Sequence, residues 1–196
     1  MLDLEPNLAI NKLRLDLPPE GMVSAGERVL PLGQLIGLLE QARKYYLIAS
    51  TSGSFDLVHP GHVRYIGDLV RVAGFRARSL EKPPFVAIGI NSDRSTQSNR
   101  ENRACGRPVF PELMRAEVVA GFKGVNVVFI FDDDLELTQL RPDIFQVFTL
   151  SDHAPETRPE ILLMRQRGTE IVTVHDNDRP TSTSAILQKI HTLNIY

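Results

Sequence analysis

The stretch "STSGSFDLVHPGHVRYIGDLVRV" (residues 50–72) opens among small and hydroxyl residues and closes in helical spacing. It overlaps "YLIAST" (residues 46–51), a short apolar run ending in small residues, which suits a buried strand. From His62, "HVRYIGDLVRVAG" repeats apolar residues at helical intervals, and Gly74 is placed to close that helix as a C-cap. Strand, glycine-bearing turn and helix make the first half of a βαβ unit. Two of the chain's five histidines, His59 and His62, fall at the changeover with Gly61 between them.

The same alternation continues outward. Before the stretch, "LGQLIGLLEQARK" (residues 32–44) sets leucines and Ile36 on one helical face. After it come a strand at 85–91, a helix at 111–122 entered through Pro111, and strands at 125–131 and 143–150. A helix closed by Gly168, a strand at 169–175 and a last helix at 182–193 complete the series. Such a series predicts an α/β fold, a Rossmann-like open parallel sheet of about five strands with helices on both faces. The segment 92–109 reads as one long irregular connection, and connections of that length tend to be functional. Residues 1–27 show no lasting period and read as an N-terminal helical extension, leaving 28–196 as the domain.

Composition narrows the function classes. Of 196 residues, 42% are hydrophobic and 23% charged, ordinary values for a globular chain. A net charge of −2 with interspersed signs gives no basic field for nucleic acid. The one cysteine, Cys105, rules out an intrachain disulfide and suits a reducing compartment. No apolar run reaches membrane-spanning length and the first residues lack a signal-peptide core, so a cytoplasmic protein without membrane partners is expected.

Ligands of open parallel sheets bind beyond the carboxyl ends of the strands. The opening stretch lies there, and a helix N-terminus at that place favours anions through its free N–H groups and dipole. Ser52 and Ser54 offer hydroxyls, Gly53 permits close backbone approach, and Pro60 and Gly61 fit the start of a helix. On residues alone, the histidine pair admits both an anion site and an incidental surface pair or cap. It is not a zinc site, for want of a recognisable ligand set, and not a Walker A loop, for want of Gly-Lys-Ser/Thr.

The segment "GSFDLVHPGH" (residues 53–62) resembles the first signature of the H-x-G-H nucleotidyltransferase superfamily, and "TSTSAI" (residues 181–186) resembles its second. Within that superfamily the chain is most similar to the adenylyltransferase domains that make ADP-heptose. The likeness includes "RVLPLGQLIGLLEQARK", "GINSDRS" and "RPVFPELMRAEVVAGFKGV" followed by "VFIFDDD". The sugar-kinase domain that accompanies such domains finds no room in the chain, so a stand-alone adenylyltransferase is implied. So is direct attack by a sugar phosphate on the α-phosphorus of ATP, with Mg²⁺ held mainly by the triphosphate. ATP and a small phosphorylated sugar are then the partners, and self-association is expected.

The resemblance implies catalytic roles for His59, His62, Ser182 and Thr183, which would hold the phosphates. It implies nucleotide contacts from Ser52, Gly53, Ser54, Phe55, Gly61, Asn91 and Ser184. Weaker substrate-binding expectations fall on Asp93, Arg103, Arg107 and Asp152, while Asp56 is expected to fix the loop. Arg94 and Arg115 are equally well read as solvated surface residues, and the acidic run at 132–134 as a helix entry. Three departures bear on substrate identity. "FTLSDHAPE" (residues 148–156) replaces a Lys-Gly-Gly-Asp-Tyr-like segment, keeping only Asp152; Asn126 replaces an aspartate; Thr181 replaces an isoleucine. Alternative readings are a cytidylyltransferase for glycerol phosphate or a phosphorylated amino alcohol, and a degenerate paralogue that binds nucleotide without turnover.

Overall fold

The computed structural model describes residues 25–132, 143–175 and 181–193. Its strands are β1 (Val29–Leu30), β2 (Leu47–Gly53), β3 (Pro84–Asn91), β4 (Val127–Phe131), β5 (Val147–Ser151) and β6 (Glu170–Val174). The helices are α1 (Leu32–Ala42), α2 (Pro60–Ser79), α3 (Asp93–Ser98), α4 (Arg100–Ala104), α5 (Glu112–Ala120), α6 (Pro159–Gln166) and α7 (Thr183–Thr192). The strands form one sheet in the order β1-β4-β3-β2-β5-β6, parallel at every pairing. This is the expected Rossmann-like α/β architecture.

Strand alternation sorts the core into two layers, because successive side chains leave a sheet on opposite faces. From β3, Phe85 and Ala87 pack with Leu35 and Leu39 of α1 and Ile161 and Met164 of α6. The intervening Val86, Ile88 and Ile90 pack with Ile66, Leu69 and Ala73 of α2 and Ala116 and Val119 of α5. Both faces of the central strands are therefore dry, which explains their near-continuous apolar runs. Gly89 has a packing reason: a Cβ there would stand 2.9 Å from atoms of both the Phe129 and Phe131 rings.

β2 is paired with β3 on one side and β5 on the other. The chain order reverses there, so a crevice opens beyond the carboxyl ends of β2 and β5. That crevice positions the site.

Several local expectations are corrected. The sheet has six strands rather than about five, because the two-residue β1 pairs with β4. α2 does not stop at Gly74 but runs to Ser79, since its buried stripe of Ile66, Leu69, Ala73 and Ala77 continues beneath the sheet. The segment 92–109 is not one irregular connection. Ser92 caps α3 by accepting the Ser95 N–H, and Asn99 caps α4 by accepting from Glu101 and Asn102. The fourth strand begins only at Val147. Of the expected N-terminal extension, residues 1–24 lie outside the described residues; Arg28 at its border donates to the Val125 carbonyl at 2.9 Å.

Candidate active site

The loop leaving β2 is held in a shape that its sequence resists. Phe55 and Leu57 both adopt positive φ, 46° each, a left-handed conformation costing roughly 1–2 kcal/mol for residues with a Cβ. Asp56 between them is fully buried and holds the loop in place. Its carboxylate accepts the Val109 N–H at 3.0 Å, the Phe110 N–H at 3.2 Å and Arg107 Nε at 3.3 Å. Arg107 also donates to Ser54 Oγ and to Asn102 Oδ1, at 3.0 Å each. The Asp56 carbonyl accepts the Thr183 hydroxyl, which ties the start of α7 to the same loop. Strain held by surrounding bonds in this way is characteristic of functional loops.

Arg115 completes the scaffold. Expected equally as a surface residue, it is 1% exposed. It donates to the carbonyls of Ser54, Phe110 and Asn91 and to the Asp93 carboxylate. A signal was present in the sequence: Arg115 lies four residues before Val119, on the buried stripe of α5.

Beyond this scaffold, His59 occupies the N-cap of α2, where its Nδ1 accepts the Gly61 N–H at 3.2 Å. That bond leaves the neutral ring's proton on Nε2, as a donor. The His62 ring stacks on His59 with centroids 3.9 Å apart, and its other neighbour is Phe55 at 5.4 Å. Burial, then the charges of His59 and Arg107, push the His62 pKa down to about 4, against an opposing pull from Asp56. His62 is therefore a neutral imidazole at physiological pH, with a buried Nδ1 that makes no hydrogen bond.

Both rings line a cleft of about 280 Å³ at the switch point. Its first wall is Ser52, Gly53, Ser54, Phe55, His59, Gly61 and His62, all named from the sequence. A Cβ at Gly53 would crowd the Phe55 ring at 3.2 Å. The opposite wall is Leu150, Ser151, His153, Ala154 and Arg158, with Tyr65 between the walls; its first four residues fall in the 148–156 segment that the sequence marks through Asp152, while Arg158 and Tyr65 carry no such mark. The Tyr65 and Thr51 hydroxyls are 2.7 Å apart and both reach the Thr149 carbonyl, binding α2 across β2 to β5. Burial raises the Tyr65 pKa, opposed by those hydrogen bonds and by the Arg158 charge.

The remaining named residues lie outside the cleft lining. The Ser182 Oγ caps α7 by accepting the Ala185 N–H at 3.2 Å, Thr183 is pinned to Asp56, and Ser184 is exposed. The Asn91 amide donates to Ser95 Oγ at 3.0 Å, and Asp93 belongs to the Arg115 network. Arg103 is exposed on α4. Arg107 acts behind the first wall through Ser54. The Asp152 carboxylate stands 3.0 Å from His153 Nε2, just behind the second wall. Arg94 pairs with Asp132 at 2.8 Å, while residues 133 and 134 of the acidic run lie outside the described residues. Asn126 exchanges hydrogen bonds with Val86 at the start of β3, about 16 Å along the strands from the cleft rim. The lost aspartate there does not touch the site.

The cytidylyltransferase-like family model matches residues 50–192, from the middle of β2 through α7. The chain belongs to the cytidylyltransferase-like family. Its relatives include proteins named Bifunctional protein HldE. That of Rhodopseudomonas palustris (strain BisA53) is 32% identical over 143 residues, covering 70% of this chain and 26% of that protein. That of Hyphomonas neptunium (strain ATCC 15444) is 33% identical over 150 residues, covering 74% and 28%. That of Nitrobacter winogradskyi (strain Nb-255) is 28% identical over 187 residues, covering 93% and 35%. The chain thus spans about a quarter to a third of these relatives' length. Among solved structures, a lipopolysaccharide core biosynthesis protein from Thermoplasma volcanium GSS1 superposes with a TM-score of 0.47 at 17% identity, over 66% of this chain and 94% of that one.

Two helix N-termini meet at the loop after β2: α2 is capped by His59 and α7 is tied to Asp56 through Thr183. Among the described residues, no group of three or more His, Cys, Asp or Glu could hold a metal ion. No helix among the described residues is long and apolar enough to cross a membrane.

Proposed function

We propose that the protein is an adenylyltransferase that passes AMP from Mg-ATP to a sugar 1-phosphate resembling heptose 1-phosphate. The observation that carries the reading is the stacked histidine pair at the N-terminus of α2, opening onto the switch-point cleft. The motif segments shared with ADP-heptose-forming domains support the choice of ATP and sugar.

In this reaction an oxygen of the acceptor's phosphate forms a new bond to the α-phosphorus. The bond from the α-phosphorus to the bridging oxygen breaks, and its electron pair leaves on pyrophosphate. No enzyme nucleophile is consumed and no net proton is needed, so catalysis rests on alignment and on stabilising charge at phosphoryl oxygens. His59 supplies its Nε2–H, and the first turn of α2 supplies backbone N–H groups and the positive end of its dipole. His62 is neutral in the empty cleft and gains a proton when phosphate oxygens approach, because a nearby negative charge favours the imidazolium. Ser52 and Ser54 add hydroxyl contacts. Ser182 and Ser184 at the start of α7 add contacts where the triphosphate extends past the loop that Thr183 anchors.

The test is pyrophosphate release from ATP and from CTP with a panel of sugar and polyol phosphates. Release with ATP and a sugar 1-phosphate, abolished in His59→Ala and His62→Ala, is the expected result. Turnover with CTP alone would redirect the reading to a cytidylyltransferase. Nucleotide binding without release across the panel would overturn catalysis.

A further inference from the structure

The two walls of the cleft differ in what they offer an anion. The first presents a helix N-terminus and two imidazoles, suited to a triphosphate. The second, built from the end of β5 and the turn into α6, holds Arg158, the only arginine or lysine among the described residues that line the cleft.

Arg158 is paired with Glu160, whose Oε1 lies 3.0 Å from its Nε, in a geometry that leaves the buried Nε without a hydrogen bond. The Glu160 carboxylate is 8% exposed, against 31% for the Arg158 side chain. It holds the guanidinium through Nε, and Arg158 lines the cleft. A planar guanidinium fork matches two phosphate oxygens at once. His153 stands on the same wall, its Nε2 held 3.0 Å from Asp152 Oδ1.

In-line transfer places the attacking group opposite the leaving pyrophosphate across the α-phosphorus. An acceptor that attacks through its own phosphate brings a second anion against the triphosphate, and that anion needs a cation on its own side.

We propose that Arg158, with His153 oriented by Asp152, binds the phosphate of the acceptor and so selects the second substrate. The inference rests on the transfer reaction proposed above and adds the residues that choose its second substrate. Arg158 is a binding residue, and Asp152 acts on it only through His153.

Steady-state kinetics and a binding titration together test the proposal. In Arg158→Gln, the acceptor KM rises on the order of ten-fold or more, the loss expected for one charge-assisted contact, while the ATP KM stays at the wild-type value. Arg158→Lys recovers part of the loss, and His153→Gln, altering a half-exposed ring, gives a smaller rise in the same parameter. A rise in the ATP KM instead, or no change in either KM, overturns the assignment.

The second measurement needs no turnover. Inorganic phosphate and glucose 1-phosphate are titrated into ¹⁵N-arginine-labelled protein saturated with α,β-methylene-ATP, and the Arg158 Nε–H resonance is followed. A saturable shift in the presence of the nucleotide analogue supports a separate acceptor site, even for a protein that releases no pyrophosphate. That combination retires the reaction and keeps the site. A resonance that does not move, or one displaced competitively by the analogue, refutes the site itself.

Discussion

Asp56→Asn separates a loop-holding carboxylate from a proton-transferring one. The side chain is fully buried and receives two backbone N–H groups and one guanidinium nitrogen at 3.0–3.3 Å. Asparagine keeps the shape and one acceptor oxygen, which can continue to serve Val109 and Phe110. Its amide then faces Arg107 Nε donor to donor, and Arg107, only 14% exposed, loses its charge partner. A hydrogen bond to a charged group contributes about 1.5–3 kcal/mol, so the substitution should cost about 2–3 kcal/mol. Complete removal in Asp56→Ala should cost about 3–5 kcal/mol, as for other broken buried pairs. For a domain of this size the asparagine variant should melt about 4–12 °C below wild type. Urea and thermal unfolding at neutral pH read the loss, and the pH profile of pyrophosphate release reads the role. Residual activity should keep the wild-type profile, because Asp56 positions Phe55, Leu57 and the histidine turn without exchanging a proton. An unchanged urea midpoint, or a profile that loses one limb, would refute the reasoning.

The depressed pKa of His62, about 4 against 6.5 unfolded, means the native state binds fewer protons between those values. Native stability should therefore fall as pH drops from 6.5 to 4, more steeply in wild type than in His62→Gln; equal slopes would count against a buried neutral ring. By the same linkage, ATP-analogue binding near pH 6 should take up protons, seen as a buffer-dependent heat in calorimetry, and its absence would leave His62 outside the phosphate site. Gly74→Ala should stabilise the protein by up to about 1 kcal/mol, since Gly74 is within α2 with open space at its Cβ position; destabilisation would restore a C-cap there. Thr183→Val should cost about 1–2 kcal/mol in urea by leaving the Asp56 carbonyl without its hydroxyl donor, with Thr183→Ser close to wild type; a valine variant as stable as wild type would remove that tie.

What could be read from the sequence follows the range of the interactions concerned. The alternation of elements was legible because each strand and helix carries its period within its own residues. β1 escaped notice because two residues hold no period. α3 and α4 escaped because six and five residues are too few to show a face. Gly74 misled because the buried residue that carries α2 past it, Ala77, contributes weakly to any apolar pattern. The first wall of the cleft was legible for the same local reason: its glycines, hydroxyls and histidines all lie within residues 52–62. The second wall meets the first only through the pairing of β2 with β5, between residues about a hundred positions apart. Asp152 and the 148–156 segment point toward the second wall, but nothing in them singles out His153 or Arg158 as facing His59.

The hub at Asp56 shows why two short, distant signatures carry so much of the family's likeness. Its carboxylate fixes the 107–110 turn, its carbonyl fixes Thr183 from 127 residues further along the chain, and its neighbours are the two strained residues of the loop. Left-handed geometry at Phe55 and Leu57 is tolerable only while both attachments hold, so neither signature shapes the site alone. The two attachments should therefore be coupled. In a double-mutant cycle, Asp56→Asn and Thr183→Val should together cost less than the sum of their separate effects, because either change already lets the loop relax. Strict additivity would mean that the side chain and the carbonyl of Asp56 hold independent structures, and that the histidine turn depends on the first signature alone.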